Sequence, residues 1–129
     1  MKNRFAPFIL FIDSGMGGIS ILDYLLKKKR NLNVVYYADN KNFPYGTKDE
    51  TTIGGYLLDI YNRVSKKYNI ELIVLACNTA SVSALDYLRG KISVPIVGTV
   101  PAVKVASELT INNRIGIIAT ETTVKLDYL

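Results

Sequence analysis

The fold of this chain is decided by the stretch Leu72-Ile73-Val74-Leu75-Ala76-Cys77-Asn78-Thr79-Ala80-Ser81. It begins as a short apolar run and passes into a helical pattern at the only cysteine among 129 residues. Strand-to-helix junctions of this kind are typical of parallel α/β proteins, which bind ligands outside the carboxyl ends of their strands. A cysteine beside a helix N-terminus is favoured as its thiolate, so Cys77 is a candidate reactive group. The alternative is that Cys77 is a buried apolar filler while Asn78 or Thr79 caps the helix.

The same alternation of apolar strand and helical pattern extends along the chain. Five short segments rich in Val and Ile, apolar on both faces, predict a parallel sheet covered by helices on both sides. The predicted strands are 8–12, 34–38, 72–76, 94–97 and 115–119, and the predicted helices are 22–26, 53–68, 81–88 and 102–109. Thr47 and Glu50 predict a capping box at the start of the second helix. The expected fold is therefore α/β, a three-layer doubly wound parallel sheet with right-handed crossovers.

Composition limits the class of protein. A chain that is 49% hydrophobic and 21% charged fits one ordinary globular domain with a core. The net charge of +5 permits weak attraction to anions, but the densest basic cluster, Lys27 to Arg30, is explained by a solvated helix end rather than by nucleic-acid binding. The apolar runs are too short for a membrane helix, and no charged leader precedes them, so we expect a cytoplasmic protein that binds neither nucleic acid nor membrane.

Four loops should converge at one edge of this sheet, because every strand-to-helix loop of a parallel sheet opens on the same side. They lie near residues 13–18, 39–47, 77–79 and 98–100, and their content is polar and rich in glycine. Glycines there let the backbone approach a ligand and turn its amide groups toward an anion. The sequence therefore predicts a small-molecule site at this edge.

A dinucleotide-binding domain is a competing interpretation. Gly15-Met16-Gly17-Gly18-Ile19-Ser20 approximates the glycine fingerprint after a first strand, and Asp39 closes the second strand about 20 residues further on. Two features argue against it: Ser20 replaces the third glycine, and Asp13 would place a negative charge beside the pyrophosphate. Nor does this interpretation explain Cys77.

Five blocks in order resemble the glutamate racemases of the aspartate/glutamate racemase superfamily. They are Phe11-Ile12-Asp13-Ser14-Gly15-Met16-Gly17-Gly18, Tyr37-Ala38-Asp39, Phe43-Pro44-Tyr45-Gly46-Thr47-Lys48, Ala76-Cys77-Asn78-Thr79-Ala80-Ser81 and Ile118-Ala119-Thr120. The resemblance runs from about residue 9 to the end of the chain, and Met16 replaces the commoner valine of the first block. It implies a cofactor-independent, metal-free isomerase of the bacterial cytoplasm that interconverts L- and D-glutamate and supplies D-glutamate for peptidoglycan.

The resemblance also implies a two-base mechanism and a set of site residues. In such racemases one thiolate removes the α-proton and a second thiol returns a proton to the opposite face; Cys77 matches the first. Asp13 would help to position the thiol and meet the substrate, although its charge disfavours a neighbouring thiolate, which the dipole of the helix must oppose. The implied catalytic residues are Cys77 and Asp13, and the implied substrate-binding residues are Asp13, Ser14, Tyr45, Gly46, Asn78, Thr79, Thr120 and Thr123.

The second cysteine of that mechanism is missing from this chain, which also has no histidine to match the family's Cys-Thr-His block. The family builds its site between two similar domains, so we expect residues 1–98 to form the first and residues 99–129 to begin a truncated second one. The expected partners are glutamate and either the missing second domain or another copy of the chain. The chain alone should be inactive as a racemase; a glutamate-binding or interaction half-domain without turnover is the alternative.

Overall fold

A four-stranded parallel sheet forms the centre of the protein, whose computed structural model describes residues 6–126. The strands are β1 (Pro7–Asp13), β2 (Val34–Ala38), β3 (Asn69–Leu75) and β4 (Ile96–Gly98). Their order in the sheet is β2-β1-β3-β4, and each neighbouring pair is parallel. The first crossover thus moves one way along the sheet and the next two move the other way, as in a doubly wound fold.

Five α-helices and one short 3-10 helix accompany the sheet in the described residues. They are α1 (Ile19–Lys28), the 3-10 helix (Tyr45–Thr47), α2 (Glu50–Ser65), α3 (Asn78–Arg89), α4 (Val103–Leu109) and α5 (Glu121–Val124). Helices α2 and α3 pack against each other on one face of the sheet. Since crossovers between parallel strands are right-handed with very few exceptions, α1 is expected on the opposite face. The parallel sheet and the helices between its strands confirm the expected α/β architecture.

The main core lies between the sheet and the pair α2 and α3. Leu10 and Ile12 of β1 contribute to it from one face of the strand, where they meet buried residues of the two helices such as Leu57 and Leu88. Phe11 lies between them in sequence, is 1% exposed and belongs to the opposite face, because successive side chains of a strand alternate. Apolar residues on both faces of β1 are what a strand covered on both sides requires.

The fifth predicted strand, at 115–119, is wrong. Residues 114–120 have no regular secondary structure, and Ile118 is fully exposed. A strand exists only when a neighbour satisfies its backbone hydrogen bonds, and no strand of the described residues runs beside this segment. Apolar content alone therefore predicted an element whose pairing partner is absent from the described sheet.

The capping predictions had mixed outcomes. The Thr47–Glu50 capping box is wrong, because Thr47 ends the 3-10 helix and Asp49 is the N-cap of α2, accepting the Thr52 N–H at 2.8 Å. Cys77 itself is the N-cap of α3, without a side-chain capping bond.

Residues 127–129 of the predicted second-domain segment lie outside the described residues. In the part of the chain that is described, no helix is long and apolar enough to cross a membrane.

Candidate active site

The ends of the strands are aligned by backbone hydrogen bonds that continue the parallel ladder into the loops. The Asp39 N–H donates to the Asp13 carbonyl at 2.8 Å, and the Ala76 N–H donates to the Ile12 carbonyl at 2.9 Å. The loops after β1, β2 and β3 consequently begin at the same level of the sheet edge. This confirms the predicted convergence of these loops.

Cys77 lies where two of these loops meet. Its Sγ is 3.6 Å from Ser14 Oγ, within hydrogen-bonding distance for sulfur, and its side chain is half-buried. Because Cys77 is the N-cap of α3, the backbone N–H groups of Asn78 and Thr79 lie in the first turn, where no hydrogen-bond partner meets them within the described residues. The thiol thus stands beside backbone donors that are free to bind an anion.

Asp13 is buried and does not line the cavity that contains Cys77. It is 5% exposed, and its Oδ2 accepts the Gly18 N–H at 2.6 Å and the Tyr36 hydroxyl at 3.1 Å. Burial, reinforced by the charge of Asp13, raises the pKa of Tyr36 to about 12, so this hydroxyl stays a donor at neutral pH. The carboxylate already occupies the amide at the start of α1 that a pyrophosphate would need, which argues against the dinucleotide interpretation.

Tyr45 and Asp39 form a buried pair in the second loop. The Tyr45 hydroxyl donates to Asp39 Oδ2 at 2.7 Å, and Asn42 Nδ2 donates to both oxygens of the same carboxylate. Burial and the bond to Asp39 raise the pKa of Tyr45 well above its usual range. With its hydroxyl engaged and its side chain 1% exposed, Tyr45 meets the site mainly through its backbone. The peptide bond between Phe43 and Pro44, just before it, is cis.

Threonines from the end of the chain meet this edge of the sheet. Thr120 Oγ1 lies 2.9 Å from Thr79 Oγ1 and 3.0 Å from Thr123 Oγ1. Thr120 is also the N-cap of α5, as its sequence position suggests. A Cβ added to Gly46 would lie 2.8 Å from Thr120 Cβ, so the glycine permits the close approach of this segment.

A cavity of about 540 Å³ joins these groups. Its lining residues are Ser14, Phe43, Pro44, Tyr45, Gly46, Thr47, Cys77, Asn78, Thr79, Thr120 and Glu121. Two of the predicted site residues are not among them. Asp13 is buried and bonded to Gly18 and Tyr36, and Thr123 lines an adjoining cavity of about 420 Å³ together with Thr79 and Thr120. In the described residues no group of three or more His, Cys, Asp or Glu side chains could hold a metal ion.

Sequence reasoning missed several residues that shape the site. Tyr36 holds Asp13, and Asp39 holds Tyr45, although each was assigned only to a strand or its end. The Ser81 hydroxyl accepts the Thr99 N–H at 2.9 Å and lies 2.9 Å from the Cys77 carbonyl, which fixes the loop that carries the thiol. For Tyr36 and Asp39 the available signal was a polar residue in or directly after an apolar strand, where buried polar groups need hydrogen-bond partners. Ser81 lies inside α3 and carried no such signal.

Fold and site together define a class of protein. It is a doubly wound parallel α/β domain that carries one half-buried thiol at a helix N-terminus, in a cavity whose lining includes hydroxyl and amide groups and one carboxylate, Glu121. Residues 21–129 match the sequence profile of the Asp/Glu/Hydantoin racemase family. The chain belongs to this family.

Its relatives are glutamate racemases. The glutamate racemase of Salmonella typhimurium is 44% identical over 122 residues, which cover 95% of this chain and 43% of the relative. The crystal structure of Escherichia coli glutamate racemase in complex with L-glutamate and the activator UDP-MurNAc-Ala is 43% identical with a TM-score of 0.84, covering 95% of this chain and 46% of that one. The Aquifex pyrophilus enzyme is 39% identical with a TM-score of 0.81, covering 92% and 47% respectively. The chain thus spans less than half the length of these relatives.

Proposed function

We propose that this chain contributes one half of a glutamate racemase site, in which Cys77 is one of two acid–base groups that interconvert L- and D-glutamate without a cofactor. The observation that carries the proposal is the position of the thiol. Cys77 Sγ lies at the N-terminus of a 12-residue helix, 3.6 Å from Ser14 Oγ, in a cavity whose lining includes Ser14, Thr79 and Thr120. Identity of 43–44% to glutamate racemases supports glutamate as the substrate.

The proposed cavity suits a dicarboxylate. The free N–H groups of Asn78 and Thr79 and the dipole of α3 favour a carboxylate at that end of the cavity. Hydroxyls of Ser14, Thr79 and Thr120 and the backbone at Gly46 supply further neutral donors for the two carboxylates of glutamate. The one carboxylate in the lining, Glu121, is paired with Lys125, which offsets its charge. Thr123 acts one step back, through its bond to Thr120.

The proton chemistry follows from the residue types. The Cys77 thiolate takes the α-proton of one enantiomer, the electrons of the C–H bond pass onto Cα and its carboxylate, and the surrounding donors stabilise that charge. A second acid on the opposite face then returns a proton to Cα and completes the inversion. Asp13, held by hydrogen bonds from Gly18 and Tyr36, would help to position the thiol and the substrate without lining the cavity. Since the chain has a single cysteine, it supplies only one of the two groups.

The second group therefore comes from another polypeptide segment. We propose that residues 1–98 form the first domain, that residues 99–129 belong to a second, and that a further domain or a second copy of the chain provides the opposing acid. The product, D-glutamate, would enter peptidoglycan synthesis in a bacterial cytoplasm, by analogy with the bacterial relatives.

A chimera tests the proposal. In it, this chain replaces the matched part of the E. coli glutamate racemase, to which it is 43% identical. The chimera should racemise glutamate, and Cys77→Ser should abolish the activity in a protein with an unchanged circular dichroism spectrum. A folded chimera whose activity survives Cys77→Ser would refute the role of the thiol.

A second candidate is a glutamate-binding half-domain without turnover, which the single cysteine favours. Calorimetric titration of the chain with L- and D-glutamate distinguishes it. Binding by the chain, together with an inactive chimera, would support this candidate instead.

A further inference from the structure

The last described segment consists of two unlike parts. Residues 111–120 are exposed and have no helix or strand, whereas the short helix α5 that follows is anchored to the rest of the protein. Thr123 is 2% exposed, and Thr120 is bonded to Thr79 of α3. Contacts made by Thr120 and α5, and not by residues 111–119 before them, thus decide where this part of the chain lies.

Thr122 makes one of these contacts, and no role has been assigned to it. Its hydroxyl oxygen lies 2.9 Å from the Gly46 carbonyl and 3.0 Å from the Lys48 carbonyl. Both carbonyls belong to the end of the 3-10 helix Tyr45–Thr47, where carbonyls have no partner within the helix. One O–H shared by two carbonyls is a three-centre hydrogen bond, and this one joins segments that are 74 and 76 residues apart.

The two segments that this bond joins form neighbouring walls of the Cys77 cavity. Tyr45, Gly46 and Thr47 line one wall, and Thr120 and Glu121 line the other. The walls are already close, since a Cβ on Gly46 would come within 2.8 Å of Thr120. A hydroxyl that ties them together therefore holds these two walls of the cavity in contact.

We propose that Thr122 is a positioning residue: its hydroxyl holds the wall formed by the 3-10 helix against Thr120 and so fixes the cavity over Cys77. The effect of Thr122 on glutamate binding rests on the function proposed above. Its effect on the contact between the two walls does not rest on that function, so the two effects can be tested separately.

Alkylation of Cys77 by iodoacetamide measures this holding, because Cys77 is the only cysteine and every adduct reports on the cavity. The variants are Thr122→Val, which keeps the shape and removes the hydroxyl, and Thr122→Ser, which keeps the hydroxyl. Thr51→Val is the matched control, because Thr51 is exposed in the first turn of α2 and its hydroxyl has no partner in the described part of the chain. Urea unfolding of each variant gives the unfolded fraction, and rates are corrected for it.

Loss of one ordinary hydrogen bond should raise the population of the open cavity, and with it the alkylation rate of Thr122→Val, about fivefold. Thr122→Ser and Thr51→Val should react at the rate of the unsubstituted chain. The proposal is overturned if Thr122→Val reacts at that rate, if Thr122→Ser reacts as fast as Thr122→Val, or if the increase vanishes after correction for unfolding.

Hydrogen exchange of the unsubstituted chain keeps the proposal testable if Thr122→Val does not fold. The Lys48 N–H bonds to the Tyr45 carbonyl, and the Val124 N–H bonds to the Thr120 carbonyl. If Thr122 ties the walls together, both amides should open in one event with the same protection factor. Lys48 exchanging independently of Val124 would overturn the proposal.

Protection of Cys77 from alkylation by glutamate tests the proposed function. D- or L-glutamate should slow the alkylation of Cys77, and Thr122→Val should need about fivefold more glutamate for half protection. Absence of protection in every variant would contradict the proposed function while the rates without ligand still decide the role of Thr122. Protection with equal affinity in Thr122→Val and the unsubstituted chain would limit Thr122 to a structural role and overturn its positioning of the substrate.

Discussion

Tyr45→Phe should destabilise the protein by an amount that depends on pH. The substitution removes the hydroxyl that donates to Asp39 Oδ2 at 2.7 Å, where the carboxylate is 4% exposed and retains Asn42 as its other side-chain partner. A hydrogen bond to a charged group contributes about 1.5–3 kcal/mol, so Tyr45→Phe should lower the free energy of unfolding by about 2 kcal/mol at neutral pH.

The direction of the pH dependence follows from the raised pKa of Tyr45, which burial and the bond to Asp39 cause. A tyrosine whose pKa is higher in the folded state contributes stability that is complete below the pKa of the unfolded chain, near 10.0. This stability is lost as the pH rises, by about 1.4 kcal/mol per pH unit. At a pH about one unit above 10, ionisation of Tyr45 in the unfolded chain has lowered the free energy of unfolding of the unsubstituted protein by about 1.4 kcal/mol. The phenylalanine variant does not show this decrease, because phenylalanine has no ionisable hydroxyl.

Urea unfolding of both proteins, at neutral pH and one unit above the ordinary tyrosine pKa, measures this effect. The other tyrosines are common to both chains, so the difference between the two free energies isolates Tyr45. That difference should narrow from about 2 to about 0.6 kcal/mol. A difference that stays constant or widens with pH would show that the Tyr45 hydroxyl is not a buried neutral donor to Asp39.

Two further substitutions test the turns that carry the site. Gly18→Ala should lower the free energy of unfolding in urea by about 2–3 kcal/mol, because the added Cβ would lie 2.4 Å from Ala76 Cβ. Gly17→Ala is the control: its added Cβ would lie 3.7 Å from the nearest atom, Asp13 Oδ2, and it should change the free energy of unfolding by less than about 0.5 kcal/mol. Asp49→Ala should lower the thermal midpoint at neutral pH through loss of the α2 cap. Hydrogen bonds from Thr52 lower the pKa of Asp49 below 3.8, so the ionised cap is fully present above pH 3.8. The difference in thermal midpoint between the variant and the unsubstituted chain should therefore fade as the pH falls from 3.8 through the lowered pKa of Asp49. A difference in thermal midpoint that persists in acid would contradict the capping bond of Asp49. Equal effects of Gly18→Ala and Gly17→Ala on stability would contradict the close packing at Gly18.

The sheet could be predicted because its strands are apolar on both faces, a property that each segment carries by itself. β2 was predicted to the residue, at Val34–Ala38, and the other three strands agree to within a few residues at either end. The segment 115–119 has the same composition but no strand, because pairing depends on a neighbour that composition does not reveal.

The polar loops could be predicted to meet, since the carboxyl ends of parallel strands share one edge of the sheet. Which atoms meet could not be predicted. The bond of Tyr45 to Asp39 depends on the path of a six-residue loop, and that of Thr122 to Gly46 joins residues 76 apart in sequence. The resemblance implies that Asp13 meets the substrate, but Gly18 and Tyr36 donate to its carboxylate and it does not line the cavity, a placement that depends on how these two residues approach it.

Exchange of the α-proton of glutamate with deuterated water tests the central claim, that Cys77 is one base of a two-base site. The chain is incubated in D₂O with L-glutamate and, separately, with D-glutamate, and deuterium at Cα is followed by proton NMR. Because one thiol reaches one face of Cα, a single enantiomer should gain deuterium with its configuration retained, and Cys77→Ser should abolish the exchange. Exchange of both enantiomers, inversion of either by the chain alone, exchange that survives Cys77→Ser, or no exchange of either would contradict the account.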